Sequence, residues 1–302
     1  PMGVQTVLHE GGDKETAQGA KDANVSFCYS GASTFSPEEI KASAPQADLF
    51  FQLYATPVPQ LNLSIIQRAF AAGYRAIILT LDTTKYAIRE RELEFGYFPF
   101  VWKAENEPGD KLHGLGIYLT DPVFNTIQTQ QFGTVANAAF INLPGGPYAV
   151  NLNDAVLLAT VLVNSSASVT WDEQVPGDPF AIDWFVNQVT TIRNLPLILK
   201  GILREDDARR AVQKGCSGVY VSNHGGRQVQ GAIAAIDALQ PIALAVADEA
   251  LNLNIPKPAI LFDSGIRRGA DVVKAYALGA EWVGIGRPCL YGLGAGGHEG
   301  VE

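Results

Sequence analysis

The sequence predicts an α/β chain folded as a (β/α)8, or TIM, barrel, and three observations lead there. Seven short runs of β-branched and aromatic residues recur along it, continuously apolar rather than alternating, as strands buried on both faces must be. Most are separated by about 25 residues, the distance that a strand plus a crossover helix requires. Helix start and stop signals stand between them. A doubly wound open sheet is the alternative, but it normally carries a glycine fingerprint in its first βα turn, and none is present here.

Taken in order, PMG (1–3) reads as the tail of a truncated first strand, because the chain opens abruptly around its single methionine, Met2. VSFCYS (25–30) is the second strand. Ser36-Pro37-Glu38-Glu39 then supplies a capping serine, a proline in the first turn and a glutamate three residues after the cap. DLFFQLY (48–54) is the third strand; its helix, Leu63 to Ala72, stops at Gly73, before the fourth strand, AIILTLD (76–82). Thr83 to Asn194 breaks the spacing. Pro179 to Arg193 reads as the missing helix, which leaves roughly 90 residues of insertion at about 83–178, far beyond an ordinary loop and expected as a lid. PGGP (144–147) and NSSAS (164–168) point to mobility in part of it. LPLILKG (195–201), GVYVSNHG (218–225), PAILFDSG (258–265) and EWVGIGRP (281–288) complete the strands. Arg204 to Lys214 before Gly215 and Ala270 to Leu278 before Gly279 are helices with left-handed glycine stops. The expectation is one barrel over 1–302, lacking parts at both ends, since GGHEGVE closes the chain early in a last helix.

With 302 residues, 47% of them hydrophobic, the chain can bury one large core, which excludes a disordered or collagen-like protein. Its net charge of −9, without runs of like charge, gives no electrostatic support to a nucleic-acid or membrane partner, so a small ligand is expected. Cys28, Cys216 and Cys289 are odd in number and far apart, which argues for a reducing, cytoplasmic setting. No secretory signal stands at the front, and the longest apolar stretch, around Ala155 to Val163, is too short to span a bilayer.

A barrel builds its active site at the C-terminal ends of its strands. Those ends carry Ser30; Gln52 and Tyr54; Thr80 and Asp82; Lys200; His224 and Arg227; Asp263 and Arg267; Gly286 and Arg287. One such residue alone is more often a cap. A whole set converging on one mouth is costly to bury without a task. DSGIRRG (263–269) and GIGRP (284–288) pair exposed backbone N–H groups with arginines, a pattern for phosphate, although GIGRP alone fits a tight turn equally well. In SNHGGRQ (222–228), His224 is a base at physiological pH and Arg227 can hold a carboxylate bidentately. No histidines have metal-ligand spacing, so no metal is expected. His113 reads as a solvated loop residue, Cys28 as packing, and Trp171, Trp184 and Trp282 as core or helix-packing residues.

These segments, with the PMG start, FQLY (51–54), TLDTTKYAIRERE (80–92) and LKGI (199–202), resemble the FMN-dependent L-2-hydroxy-acid oxidase and dehydrogenase family, in the family's order over nearly the whole chain. FGYFPF (95–100) and GIYLTDPVF (116–124) are similar to the lactate 2-monooxygenase branch, while YSGA (29–32) also resembles lactate oxidases. The resemblance implies FMN and oxidation of a small L-2-hydroxy acid, L-lactate foremost, by dioxygen. The products would be the keto acid and hydrogen peroxide or, if the insertion retains these, acetate, carbon dioxide and water. It implies His224 as base, Asp82 as its partner, Arg227 and Arg89 on the substrate carboxylate with Tyr54 assisting, and Ala32 as a small pocket wall. Lys200 would lie by N1 and O2 of the isoalloxazine, with Ser30, Gln52 and Thr80 at the ring edge and the Met2–Gly3 backbone facing N5. Ser222, Asp263, Ser264, Gly265, Arg267, Gly286 and Arg287 would complete the cofactor site. A homotetramer is implied as well. The family's further active-site tyrosine, from before the first strand, has no counterpart in this sequence, which keeps a flavin-binding or phosphate-binding barrel without turnover as the alternative.

Overall fold

The computed structural model describes residues 1–84, 87, 89–90, 94, 100–102, 111–132, 139–143, 146–150 and 169–302. Its centre is a parallel sheet of seven strands, β1 (Phe27–Tyr29), β2 (Leu49–Leu53), β3 (Ile77–Thr80), β4 (Leu197–Ile202), β5 (Gly218–Val221), β6 (Ala259–Phe262) and β7 (Trp282–Val283), paired in chain order. Six lie within the expected runs, and β4 extends one residue past its own, to Ile202. The helices are α1 (Gly12–Asp22), α2 (Pro37–Ser43), α3 (Pro59–Ala71), α4 (Ile182–Val186), α5 (Glu205–Gln213), α6 (Ala235–Asn252), α7 (Gly269–Ala277) and α8 (Arg287–Val301).

The apolar runs hide a period of two. Ile77 and Leu79 of β3, like Val219 and Val221 of β5, join the large core with the helices, whereas Ile78, Ile198, Tyr220 and Leu261 form a second cluster on the opposite face of the sheet. That face is concave. Phe50 of β2 meets Trp282 of β7 edge to face at 5.7 Å, although four strands separate them in the sheet order. On the outside, the circuit returns on itself where α8 packs against α1. A Cβ on Gly19 would lie 2.6 Å from the His298 carbonyl oxygen, and the His298 ring pairs with Glu15 at 2.9 Å.

The local signals act as expected. Ser36 and Glu39 form a reciprocal capping box, with the Glu39 N–H donating to Ser36 Oγ at 3.2 Å and the Ser36 N–H to Glu39 Oε2 at 2.9 Å. Gly73, Gly215 and Gly279 take φ of 80°, 78° and 104° as the helices before them end. The segment Pro179 to Arg193 forms α4 and then a single π-turn, Asn187–Thr191.

Three expectations are corrected. Pro1–Gly3 is no strand: the chain turns at Val4 into a 3-10 turn, Gln5–Val7, and the Val4 N–H bonds the Ala32 carbonyl beyond the end of β1. His113 is buried, not solvated, with Nδ1 2.6 Å from Thr6 Oγ1. Trp282 is 47% exposed, since β7 is an edge of the described sheet. Trp171 and Trp184 pack on the core as expected.

Within the insertion, Val101–Trp102 pairs with Lys111–Leu112 and Ala139–Leu143 with Gly146–Val150, and helices span Gly116–Leu119 and Pro122–Phe132. Its 116–124 part is pinned to α3. Fully buried Asp121 accepts from the Val123 and Phe124 N–H groups, from Ser64 Oγ at 2.9 Å and from Arg68 Nη1 at 3.3 Å. NSSAS (164–168), residues 144–145 and FGYFPF up to Pro99 lie outside the described residues. Among the described residues no helix is long and apolar enough to cross a membrane, and no group of three His, Cys, Asp or Glu is placed to hold a metal ion.

Candidate active site

Among the described residues, six non-glycine positions adopt a left-handed backbone: Val4, Asn24, Asn194, His224, Asn254 and Ser264. Three are asparagines, whose short polar side chain tolerates it. The other three all line one cavity of about 420 Å³ at the C-terminal ends of the strands, within the ~300–1,000 Å³ usual for small-molecule sites. Left-handed geometry at such residues costs roughly 1–2 kcal/mol each and persists only where the surroundings enforce it. The backbone alone therefore marks this mouth as a built site.

Its centre is assembled from β3, β4 and β5. After Lys200, β4 carries a bulge at Gly201, with φ 97°. A Cβ there would stand 2.7 Å from Asp82 Cβ, so glycine lets the Asp82 carboxylate approach β4. Asp82 Oδ1 lies 2.8 Å from His224 Nδ1, and Oδ2 lies 3.8 Å from Lys200 Nζ. An ionised carboxylate only accepts, so Nδ1 carries the ring proton and the Nε2 lone pair is left for an external proton. Lys200, 3% exposed, donates to Ser222 Oγ at 3.1 Å and has Asp263 Oδ2 at 3.9 Å on its other side. Ser222 Oγ also receives the His224 N–H at 3.0 Å and donates to Asp263 at 2.5 Å.

Burial is the largest influence on the charge of each member. It pushes His224 down, the Lys200 charge pushes the same way, and together they outweigh Asp82, leaving the imidazole below its usual 6.5. Burial raises Asp82, but Lys200 and the bond from His224 more than reverse it, and the carboxyl falls below its ordinary value. Burial lowers Lys200, but Asp82 and Asp263 outweigh it and hold the ammonium above its usual range. At neutral pH the triad is therefore a carboxylate, a neutral imidazole and an ammonium.

Ser30, Ala32, Tyr54, Thr80 and Lys200, from the ends of β1 to β4, line the cavity together with Arg89, His224 and Arg227. Asp263, Ser264, Gly265, Arg267, Gly286 and Arg287 line the side built by β6 and β7. Arg287 reaches across to the Gly225 carbonyl at 2.5 Å, and Arg267 is exposed. Met2 and Gly3 complete the wall: a Cβ on Gly3 would lie 2.6 Å from Ala32 Cβ, and one on Gly286 would lie 3.7 Å from Met2 Sδ. Three expected residues stand behind the wall. Gln52 accepts the Gly31 N–H at 3.0 Å and donates to Thr80 Oγ1 at 2.9 Å, so it shapes the β1 and β3 ends, while Asp82 and Ser222 serve the ring and the ammonium.

Thr83, Phe100, Tyr220 and Gln228 are among the wall residues that escape the strand-end reading. Tyr220 was open to detection by its alternation with Val219 and Val221. It fills the cavity floor, where a Cβ on Gly284 would overlap its hydroxyl. Gln228 closes the SNHGGRQ segment, accepts from Arg89 Nη2 at 3.3 Å and donates to the Asp82 carbonyl at 3.4 Å. Phe100 ends the FGYFPF segment that carries part of the family resemblance, but nothing in that segment marks it as a wall residue.

Against known proteins, the description "FMN-dependent dehydrogenase" matches residues 1–302. An FMN-dependent alpha-hydroxy acid dehydrogenase of Penicillium citrinum is 36% identical, over the whole chain and 64% of that protein. An L-lactate oxidase of Lysinibacillus sphaericus is 34% identical, over the whole chain and 66% of its own length. A crystal structure of mandelate oxidase superposes with a TM-score of 0.69 at 32% identity, covering the whole chain and 68% of that one. The chain thus spans about two thirds of the length of the curated relatives it matches.

Proposed function

Because the chain belongs to the FMN-dependent dehydrogenase family, and its sheet is that of an α/β TIM barrel, we propose that it oxidises a small L-2-hydroxy acid, L-lactate first among them, with dioxygen as the final electron acceptor. The observation that carries this is the Asp82–His224 pair at 2.8 Å, whose imidazole lines one cavity together with Lys200, Arg89 and Arg227.

The cavity fits FMN on its own terms. Buried Lys200 offers a fixed positive charge, Gly265 leaves open space where a side chain would stand, and Arg267 and Arg287 wait at the mouth beside Gly286. Ser30, Thr80, Asp263, Ser264 and the Met2–Gly3 backbone would hold the rest of the group. When bound, FMN supplies a two-electron acceptor that dioxygen can reoxidise.

The chain's own residues do the remainder. Arg227 and Arg89 bind the substrate carboxylate, which orients the 2-carbon and excludes neutral molecules, and the Tyr54 hydroxyl assists. His224 Nε2 takes the substrate proton, and Asp82 stabilises the imidazolium so formed. A hydride and a carbanion route ask the same of this pair. Ala32 keeps the wall small, and a chain that retains pyruvate and peroxide turns them into acetate, carbon dioxide and water.

A homotetramer is part of the same reading, and rests on the family resemblance alone. The test is an anaerobic mix with L-lactate followed by oxygen. We expect the flavin absorbance to bleach and return, with pyruvate and peroxide or acetate as product. Flavin that stays oxidised refutes the activity.

A further inference from the structure

We infer that Gln5 is the positioning residue of the cavity's N-terminal wall: its side-chain amide, fixed from behind by Asp13 and Thr16, holds the Met2 carbonyl and so sets where the Met2–Gly3 backbone stands. The inference rests on the FMN reading of the cavity.

Gln5 is fully buried, and its amide spends both ends on named partners. Nε2 donates to the Met2 carbonyl at 2.9 Å and to Asp13 Oδ1 at 3.2 Å, and Oε1 accepts from Thr16 Oγ1 at 2.5 Å. With acceptors facing its N–H groups and a hydroxyl facing its oxygen, the amide has one orientation that satisfies all three. Asp13 and Thr16 both belong to α1, so the wall is tied to a helix rather than to another loop.

The segment needs such a tie. Val4, between Met2 and Gln5, has φ 58° and ψ 32°, a conformation that a β-branched residue avoids. The Val4 N–H to the Ala32 carbonyl at 2.8 Å and the Gln5 amide to the Met2 carbonyl bracket this turn. Gly3 is pressed against Ala32, where even a Cβ would collide, and Met2 lies beside Gly286. Relaxation of Val4 to an extended conformation would draw Met2 and Gly3 off both neighbours. The turn and the amide therefore act on the wall together.

Gln5→Glu keeps the shape but sets an oxygen against the Met2 carbonyl. The apoprotein is titrated with FMN, and affinity and the visible flavin band are recorded. We expect FMN to bind roughly tenfold more weakly, equivalent to about 1.4 kcal/mol, with a displaced band. Adding Val4→Gly, which removes the left-handed penalty, should recover most of the loss. Should Gln5→Glu fail to fold, Thr16→Val frees the amide from behind and should weaken FMN about threefold. Wild-type affinity with an unchanged band overturns the inference, and so does a loss that Val4→Gly leaves untouched, which would make Gln5 a packing residue. Flavin that binds the wild-type protein normally yet is not bleached by L-lactate refutes the proposed activity alone.

Discussion

Asp82→Asn isolates the carboxylate beneath the base. The 2.8 Å contact to His224 Nδ1 and the 10% exposure of the Asp82 side chain place the pair in partly screened surroundings. A Coulomb term at that distance with an effective dielectric near 20 gives about 6 kcal/mol as a ceiling, and hydrogen bonds to charged groups are worth ~1.5–3 kcal/mol net. The upper end of the second range, about 3 kcal/mol, is the stabilisation the imidazolium loses, or roughly a hundredfold in rate. An asparagine can also turn its NH2 toward Nδ1, moving the ring proton to Nε2 and removing the lone pair proposed to take the substrate proton. Lys200 keeps Asp263 at 3.9 Å, so FMN should still bind. The assay is anaerobic stopped-flow reduction at saturating L-lactate on protein of normal FMN content. Reduction within threefold of wild type would refute the role of Asp82.

Flavin reduction should fall on the acid side with a midpoint below 6.5, because burial, joined by Lys200, holds the His224 imidazole below that value and only its neutral form accepts a proton; a pH series of the reduction rate checks this. Gly201→Ala should lower thermal stability by more than 2 kcal/mol (~1–2 for the left-handed backbone, the rest from overlap with Asp82) and cut the reduction rate, both read on the purified variant. Burial pushes the fully buried Asp13 carboxyl up to about 7 against hydrogen bonds that pull it down, so the folded protein holds this proton more tightly than the unfolded chain. That contribution is present in acid and lost as pH rises from 3.8 through about 7, amounting to as much as about 4 kcal/mol. Melting temperatures of Asp13→Asn across pH 4 to 8 should show the alkaline loss of the wild type flattened.

The barrel was legible because its parts are local: a run such as AIILTLD, or a glycine after a polar helix end, decides its own conformation with little help from afar. Strand ends named most of the polar residues of the cavity wall for the same reason. What escaped depends on distant partners. His113 looks like a loop residue in DKLHGLG, and only the return of the insertion onto Thr6 and Thr34 buries it. Pro1–Gly3 reads as a strand, yet Gln5 and Ala32 draw it aside. Gln52 stands at a strand end like its neighbours, but its amide is claimed by Gly31 and Thr80.

The base and its carboxylate lie 142 residues apart in sequence, and Glu15 and His298 lie 283 apart. Such contacts form only after the chain has closed very long loops, so they come late in folding. During refolding, helical signal should therefore return before His224 meets Asp82, and FMN uptake should report the last step rather than the first. Because FMN would bind the closed barrel and not its precursors, it would also stabilise selectively the species in which the two ends of the chain have met.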